Sequence, residues 1–172
     1  WIDRFVEQRS GAQMSMDKDG SVSAGGSADE ELVERLLREV RPRLGASLAR
    51  EWFSSERLAS LLPDRINTAD GARSLVALSA QLIAEAVERH GEDAEALYVA
   101  GGGAHNQTLM SEIKQRVRMP LRPFAQLGMS GDLREAACFA ALGWLFLQQK
   151  PAADIRVTGA KSAQILGSIA LP

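Results

Sequence analysis

Apolar positions return at intervals of three and four through most of this chain, the spacing of helices with one face turned to a core. Ile2, Phe5 and Val6 open the pattern directly after Trp1. From Met16 to Gly26 the sequence turns to Asp, Gly and Ser, which predicts turn and loop. Ser27 followed by Glu30 has the spacing of a capping box, and Leu32, Val33, Leu36, Leu37 and Val40 then share a face. Arg41 and Arg43 suit the negative end of that helix, and Pro42 stops it. A shorter helix is predicted over Ser55 to Leu62, before Pro63. The longest runs from Asp70 to His90, with Leu75, Leu78, Leu82, Ile83, Ala86 and Val87 in register and Gly91 as its C-terminal cap.

The rhythm breaks at Ala96. Ala96 to Ala100 is a short apolar run without helical period, bounded by polar residues and by Gly101, Gly102 and Gly103, and reads as a buried strand. Asn106 suits the N-cap of a following helix in which Leu109, Met110, Ile113 and Val117 share a face and Lys114, Arg116 and Arg118 lie at the basic end. An extended piece at Met119 to Pro123 and a loop at Leu127 to Asp132 precede a nearly all-apolar helix, Leu133 to Gln149, expected to be buried between layers. Pro151 ends it, and two short apolar runs, Ile155 to Thr158 and Ile165 to Leu171, finish the chain. The fold class expected is α/β, predominantly helical, with a helical part over about 1–94 and a strand, glycine-turn and helix part over about 95–172.

Composition narrows the function classes. The 172 residues carry 20 Lys and Arg against 22 Asp and Glu, a net charge of −2, which speaks against a nucleic-acid partner. With 45% hydrophobic and 24% charged residues the chain lies in the globular range, and Ala136 to Leu147 is too short to span a bilayer, so no membrane partner is expected. Cys138 is the single cysteine: it permits no intrachain disulfide or zinc-thiolate cluster, favours a reducing compartment and is expected to be an inert core thiol. Trp1 is no initiator methionine, and its apolar segment starts without a cap, as expected inside a longer protein.

Two places invite chemistry. The three glycines of the Val99 to Asn106 segment take every β-carbon away from one turn, so that a ligand could approach the main chain while the N–H groups of the next helix point at it. That suits a nucleotide, although the spacing is neither a P-loop nor a dinucleotide fingerprint; a tight strand-to-helix turn without a ligand fits the residues as well. Glu135, in the first turn of the apolar helix, is either a favourable helix-start charge or a carboxylate directed at a substrate hydroxyl or water. His105 is placed to touch a ligand or to serve as a hydrogen-bonded loop residue, and His90 favours its helix dipole. Asp17, Asp19 and Gly20 look like the start of a calcium loop, but its twelfth position is Ala28, so the segment reads as a turn. No metal ligands are assigned.

Taken in order, Asp17-Lys-Asp-Gly20, Arg50-Glu51 with Phe53, Ser74-Leu75, Ser79-Ala80, Gly101 to Asn106, Leu127-Gly128, Glu135-Ala136, Phe139-Ala140, Val157 to Ala160 and Leu166-Gly167 resemble the anhydro-N-acetylmuramic acid kinase family. The resemblance runs from Trp1 to Pro172 and matches the C-terminal half of such a kinase. It implies the C-terminal lobe of an actin-like, ribonuclease H-like ATPase fold lacking its first strands, in a cytoplasmic sugar kinase. It further implies ATP and Mg²⁺ as cofactors and an anhydro amino sugar as substrate, opened by water and phosphorylated to N-acetylmuramic acid 6-phosphate in cell-wall recycling. Carried over residue by residue, it makes Gly101, Gly102, Gly103 and Asn106, with His105, the nucleotide-contacting turn and Glu135 a substrate-side carboxylate. The family's first phosphate loop and its catalytic aspartate have no counterpart here, so the chain alone is expected to be inactive. Where the family carries a lysine in a Pro-Pro-Lys-Ser-Thr-Gly-Arg-Glu run, this chain has Ala46, within Leu44 to Glu51. The contrasting expectation is a non-catalytic half-domain serving as a nucleotide-binding or assembly module. Either way, an unpaired sheet edge and uncovered apolar surface predict a homo-oligomer.

Overall fold

The structure, a computed structural model, describes residues 1–43 and 53–169, without the side chain of Val157. The family-type run at 44–51, Ala46 included, lies outside the described residues. The described part is mostly helical with a small parallel sheet, and contacts divide the chain into two compact units, Trp1–Pro123 and Phe124–Pro172.

In the first unit, α1 (Ile2–Arg9) leads through a 3-10 turn at Lys18–Gly20 into the single helical turn α2 (Ser21–Ala24). Then come α3 (Glu30–Val40), α4 (Ser55–Leu61) and the 23-residue α5 (Thr68–His90). Asp29, not Ser27, caps α3, its carboxylate accepting from the Leu32 N–H at 3.0 Å. The Ser27 N–H instead donates to Asp70 at 2.7 Å, because Gly26 lies against α5 so closely that a β-carbon there would stand 2.2 Å from the Ala69 carbonyl. Ser54 caps α4 and Asn67 caps α5, each through a side-chain oxygen accepting a main-chain N–H three residues on.

Helix α5 is the axis of the unit and buries two faces. Ala72, Leu75 and Leu78 pack with Phe5 and Val6 of α1, Leu32, Leu36 and Leu37 of α3, and Leu58 of α4. Val76 and Ala80 turn to a second cluster with Leu109 and Ile113, on which Leu97 and Leu121 also pack. Those last two belong to β1 (Leu97–Val99) and β2 (Leu121–Pro123), which pair in parallel with Leu97 opposite Leu121. Between them lies α6 (Gln107–Arg116), so strand, turn, helix and strand form one crossover unit. The expected buried strand is half-buried, since among the described residues the sheet has two strands and both are edges. Glu112, almost fully buried, fastens α6 to α5 by pairing with both Arg73 and Arg116.

The second unit holds α7 (Arg134–Leu147) and a one-turn helix, α8 (Ile155–Thr158), at the first of the two short apolar runs. The expectation that the apolar helix would be buried is not met: no residue of α7 is buried, and Phe139 is 73% exposed. Cys138 is likewise exposed rather than a core thiol. A segment this short lacks the volume to enclose a helix that is apolar all round; only part of its surface meets neighbours, as where Phe146 lies against Gly167.

Candidate functional site

β1 delivers the chain to the glycine turn. Gly101 has φ +84 and ψ −179, a combination essentially confined to glycine, and it redirects the main chain out of the strand. Gly102–His105 then form a 3-10 turn, closed by the Ala104 N–H donating to the Gly101 carbonyl at 3.0 Å and the Asn106 N–H to that of Gly103 at 3.2 Å. A β-carbon on Gly101 or Gly102 would meet nothing within 4 Å. The turn therefore presents bare main chain with open space beside it, and the ten-residue α6 starts directly behind it.

Asn106 is 7% exposed and its amide is committed inward. Its Oδ1 accepts from the Leu109 N–H at 2.8 Å, capping α6, and its Nδ2 donates to Asp17 Oδ2 at 3.1 Å. Asp17, 4% exposed, also accepts from the Val22 N–H at 2.8 Å, the Ser23 N–H at 3.4 Å and the Ser23 hydroxyl at 2.5 Å. A second strut runs alongside, from the Thr108 hydroxyl to the Gly20 carbonyl at 2.8 Å. The 17–23 turn thus supports the glycine turn from beneath. Sequence reasoning recognised that turn but not its role, because the partners lie 89 positions apart and turn residues carry no signal of what they meet.

Of the residues singled out, Gly101, Gly102, Gly103, His105 and Asn106 come together in this one turn, with His105 exposed. Glu135 stands in the first turn of α7, in the second unit, exposed and 3.8 Å from Arg134. Among the described residues, no three acidic, histidine or cysteine side chains gather to hold a metal ion. Nor is any helix among them long and apolar enough to cross a membrane.

The geometry can be set beside known proteins. The model of the anhydro-N-acetylmuramic acid kinase family matches residues 1–172, the whole chain. This chain belongs to that family. Among curated relatives, the anhydro-N-acetylmuramic acid kinase of Parasynechococcus marenigrum (strain WH8102) is 34% identical over 175 residues, covering 96% of this chain and 46% of the relative. The protein of that name from Prochlorococcus marinus (strain MIT 9303) is 36% identical over 180 residues, covering 99% and 48%. The one from Legionella pneumophila (strain Corby) is 33% identical over 171 residues, covering 98% and 46%. As a member of the anhydro-N-acetylmuramic acid kinase family, the chain spans about half the length of the curated relatives it matches.

Proposed function

We propose that residues 1–172 form the C-terminal, nucleotide-binding lobe of an actin-like ATP-dependent sugar kinase, acting in the cytoplasm on 1,6-anhydro-N-acetylmuramic acid. The observation that carries this reading is the glycine turn: main chain free of β-carbons, open on one side, at the start of a helix inside a strand–helix–strand unit. In this reading the main chain at Gly101, Gly102 and Gly103 lies against the nucleotide, His105 flanks it, and Asn106 holds the turn in shape from below. ATP supplies the phosphoryl group, and Mg²⁺ enters as the counter-ion of its phosphates. Glu135 is assigned to the sugar, where a carboxylate would accept a hydrogen bond from a hydroxyl. The product is N-acetylmuramic acid 6-phosphate, as in the recycling of cell-wall amino sugars. The lobe turns over only with the half of the kinase that supplies the catalytic aspartate.

The test is to join the chain to the N-terminal half of a full-length kinase of the family and assay transfer from ATP to the anhydro sugar, with the product identified by mass. Phosphorylated, ring-opened product that disappears in Gly102→Asp is the expected result. A joined protein that binds nucleotide and yields no product would overturn the kinase reading in favour of a binding or assembly module.

A further inference from the structure

The buried contact between Asp17 and Asn106 has a polarity that admits one arrangement. Asn106 must aim Oδ1 at the Leu109 N–H to cap α6, which leaves Nδ2 facing Asp17. An acceptor-only group at position 17 is what makes that orientation satisfiable. Asp17 is itself fixed by Val22 and Ser23, so it is a rigid base rather than a mobile side chain. Gly20 completes the fit: its φ is +77, and a β-carbon there would stand 2.4 Å from Asn106 Oδ1 and 2.8 Å from the Thr108 N–H nitrogen. These facts are independent of each other, one set electrostatic and one steric, and both converge on the junction between the glycine turn and α6.

We infer that Asp17 is a positioning residue for the glycine turn: its carboxylate dictates the orientation of the Asn106 amide and, through it, the conformation of main chain 102–109. As a statement about nucleotide binding, this rests on the reading of the turn given above; as a statement about the turn's conformation, it does not.

The experiment is a polarity swap. In Asp17→Asn, an amide nitrogen would face either the Asn106 Nδ2 or the Val22 N–H, and turning Asn106 round would set its own nitrogen against the Leu109 N–H. No rotamer satisfies all three donors. In the double variant Asp17→Asn with Asn106→Asp, the amide introduced at position 17 donates to the carboxylate introduced at position 106. That carboxylate still accepts from Leu109, while the Ser23 hydroxyl keeps the Gly20 carbonyl as its acceptor. Amide hydrogen exchange on the full chain should show Asp17→Asn raising exchange of the hydrogen-bonded Ala104, Asn106 and Leu109 amides within 102–109 by about tenfold or more, the worth of one hydrogen bond to a charged group. Leu36 and Leu75 in the other core should keep their protection, and the double variant should return 102–109 to near the original rates. Unchanged exchange in Asp17→Asn overturns the inference, as does a double variant no better than the single one. If Asp17→Asn fails to fold, the double variant decides: recovery of the fold supports the inference and continued failure overturns it. Titration with Mg-ATP separates the two claims. Weaker binding by Asp17→Asn than by the unaltered chain supports the positioning of a nucleotide site. No binding by the unaltered chain, with the exchange pattern as expected, counts against the nucleotide reading and leaves the positioning role standing.

Discussion

Replacing Gly20 by alanine measures how tightly the support under the glycine turn is built. The backbone there has φ +77 and ψ 17, which costs an L-residue about 1–2 kcal/mol. The new methyl group would also stand 2.4 Å from Asn106 Oδ1 and 2.8 Å from both the nitrogen and the hydroxyl oxygen of Thr108, so something must give by several tenths of an ångström or more. Pushing Asn106 aside weakens its cap on α6, worth about 1 kcal/mol, and its bond to Asp17, worth about 1.5–3 kcal/mol as a contact to a charged group. With partial relaxation the total comes to about 3–5 kcal/mol, a large share of a domain's typical stability. Gly11 supplies the control: its φ is +61 and nothing lies within 4 Å of its β-carbon position, so alanine there incurs the conformational cost alone. Urea unfolding followed by circular dichroism should move the midpoint of Gly20→Ala down by ~2 M, about two to three times the shift in Gly11→Ala. Equal shifts in the two variants would refute the steric argument.

Other consequences are open to measurement. Gly101→Ala should cost about 1–3 kcal/mol from its φ and ψ alone and weaken Mg-ATP binding, whereas Gly102→Asp should leave stability nearly unchanged and abolish binding by setting a carboxylate against phosphate; calorimetry on both reads this out. Leu36, fully buried between α3 and α5, should lose about 2–5 kcal/mol on truncation to alanine, measured by the same urea transitions. Glu85 receives two hydrogen bonds from Arg41, at 2.6 and 3.2 Å, and that guanidinium holds its carboxyl below the usual carboxylate range. Because the folded-state value is the lower one, the pair's contribution of about 0.5–1 kcal/mol is complete above the ordinary carboxylate range and lost as pH falls through the depressed value. Stability of the unaltered chain and of Glu85→Gln should accordingly differ at neutral pH and converge in acid.

Local patterns made most of the elements of the first unit readable. Helix α5 announced itself by apolar spacing, Asn106 by its place ahead of a periodic segment, and the break at Ala96 by the loss of that period. These are consequences of backbone geometry within a few residues, so the chain states them locally. The same locality explains the errors. Ser27 and Asp29 are both competent caps, and Asp29 was selected because Gly26 and Ser27 are held against α5 more than forty positions away. Apolar character said that α7 prefers burial, but burial needs a covering surface, and that is a property of the packed unit rather than of the helix.

The sequence by itself determined the longer helices, though not the single turns α2 and α8, together with the strand–turn–helix unit with its glycine turn and the family to which those motifs belong. Tertiary structure alone decided what the 17–23 turn is for. Asp17 and Asn106 are each ordinary turn and cap residues in the sequence, and only the packing of α2 and α6 around α5 brings them within hydrogen-bonding distance. There, away from water, the orientation of one amide is fixed by what it faces.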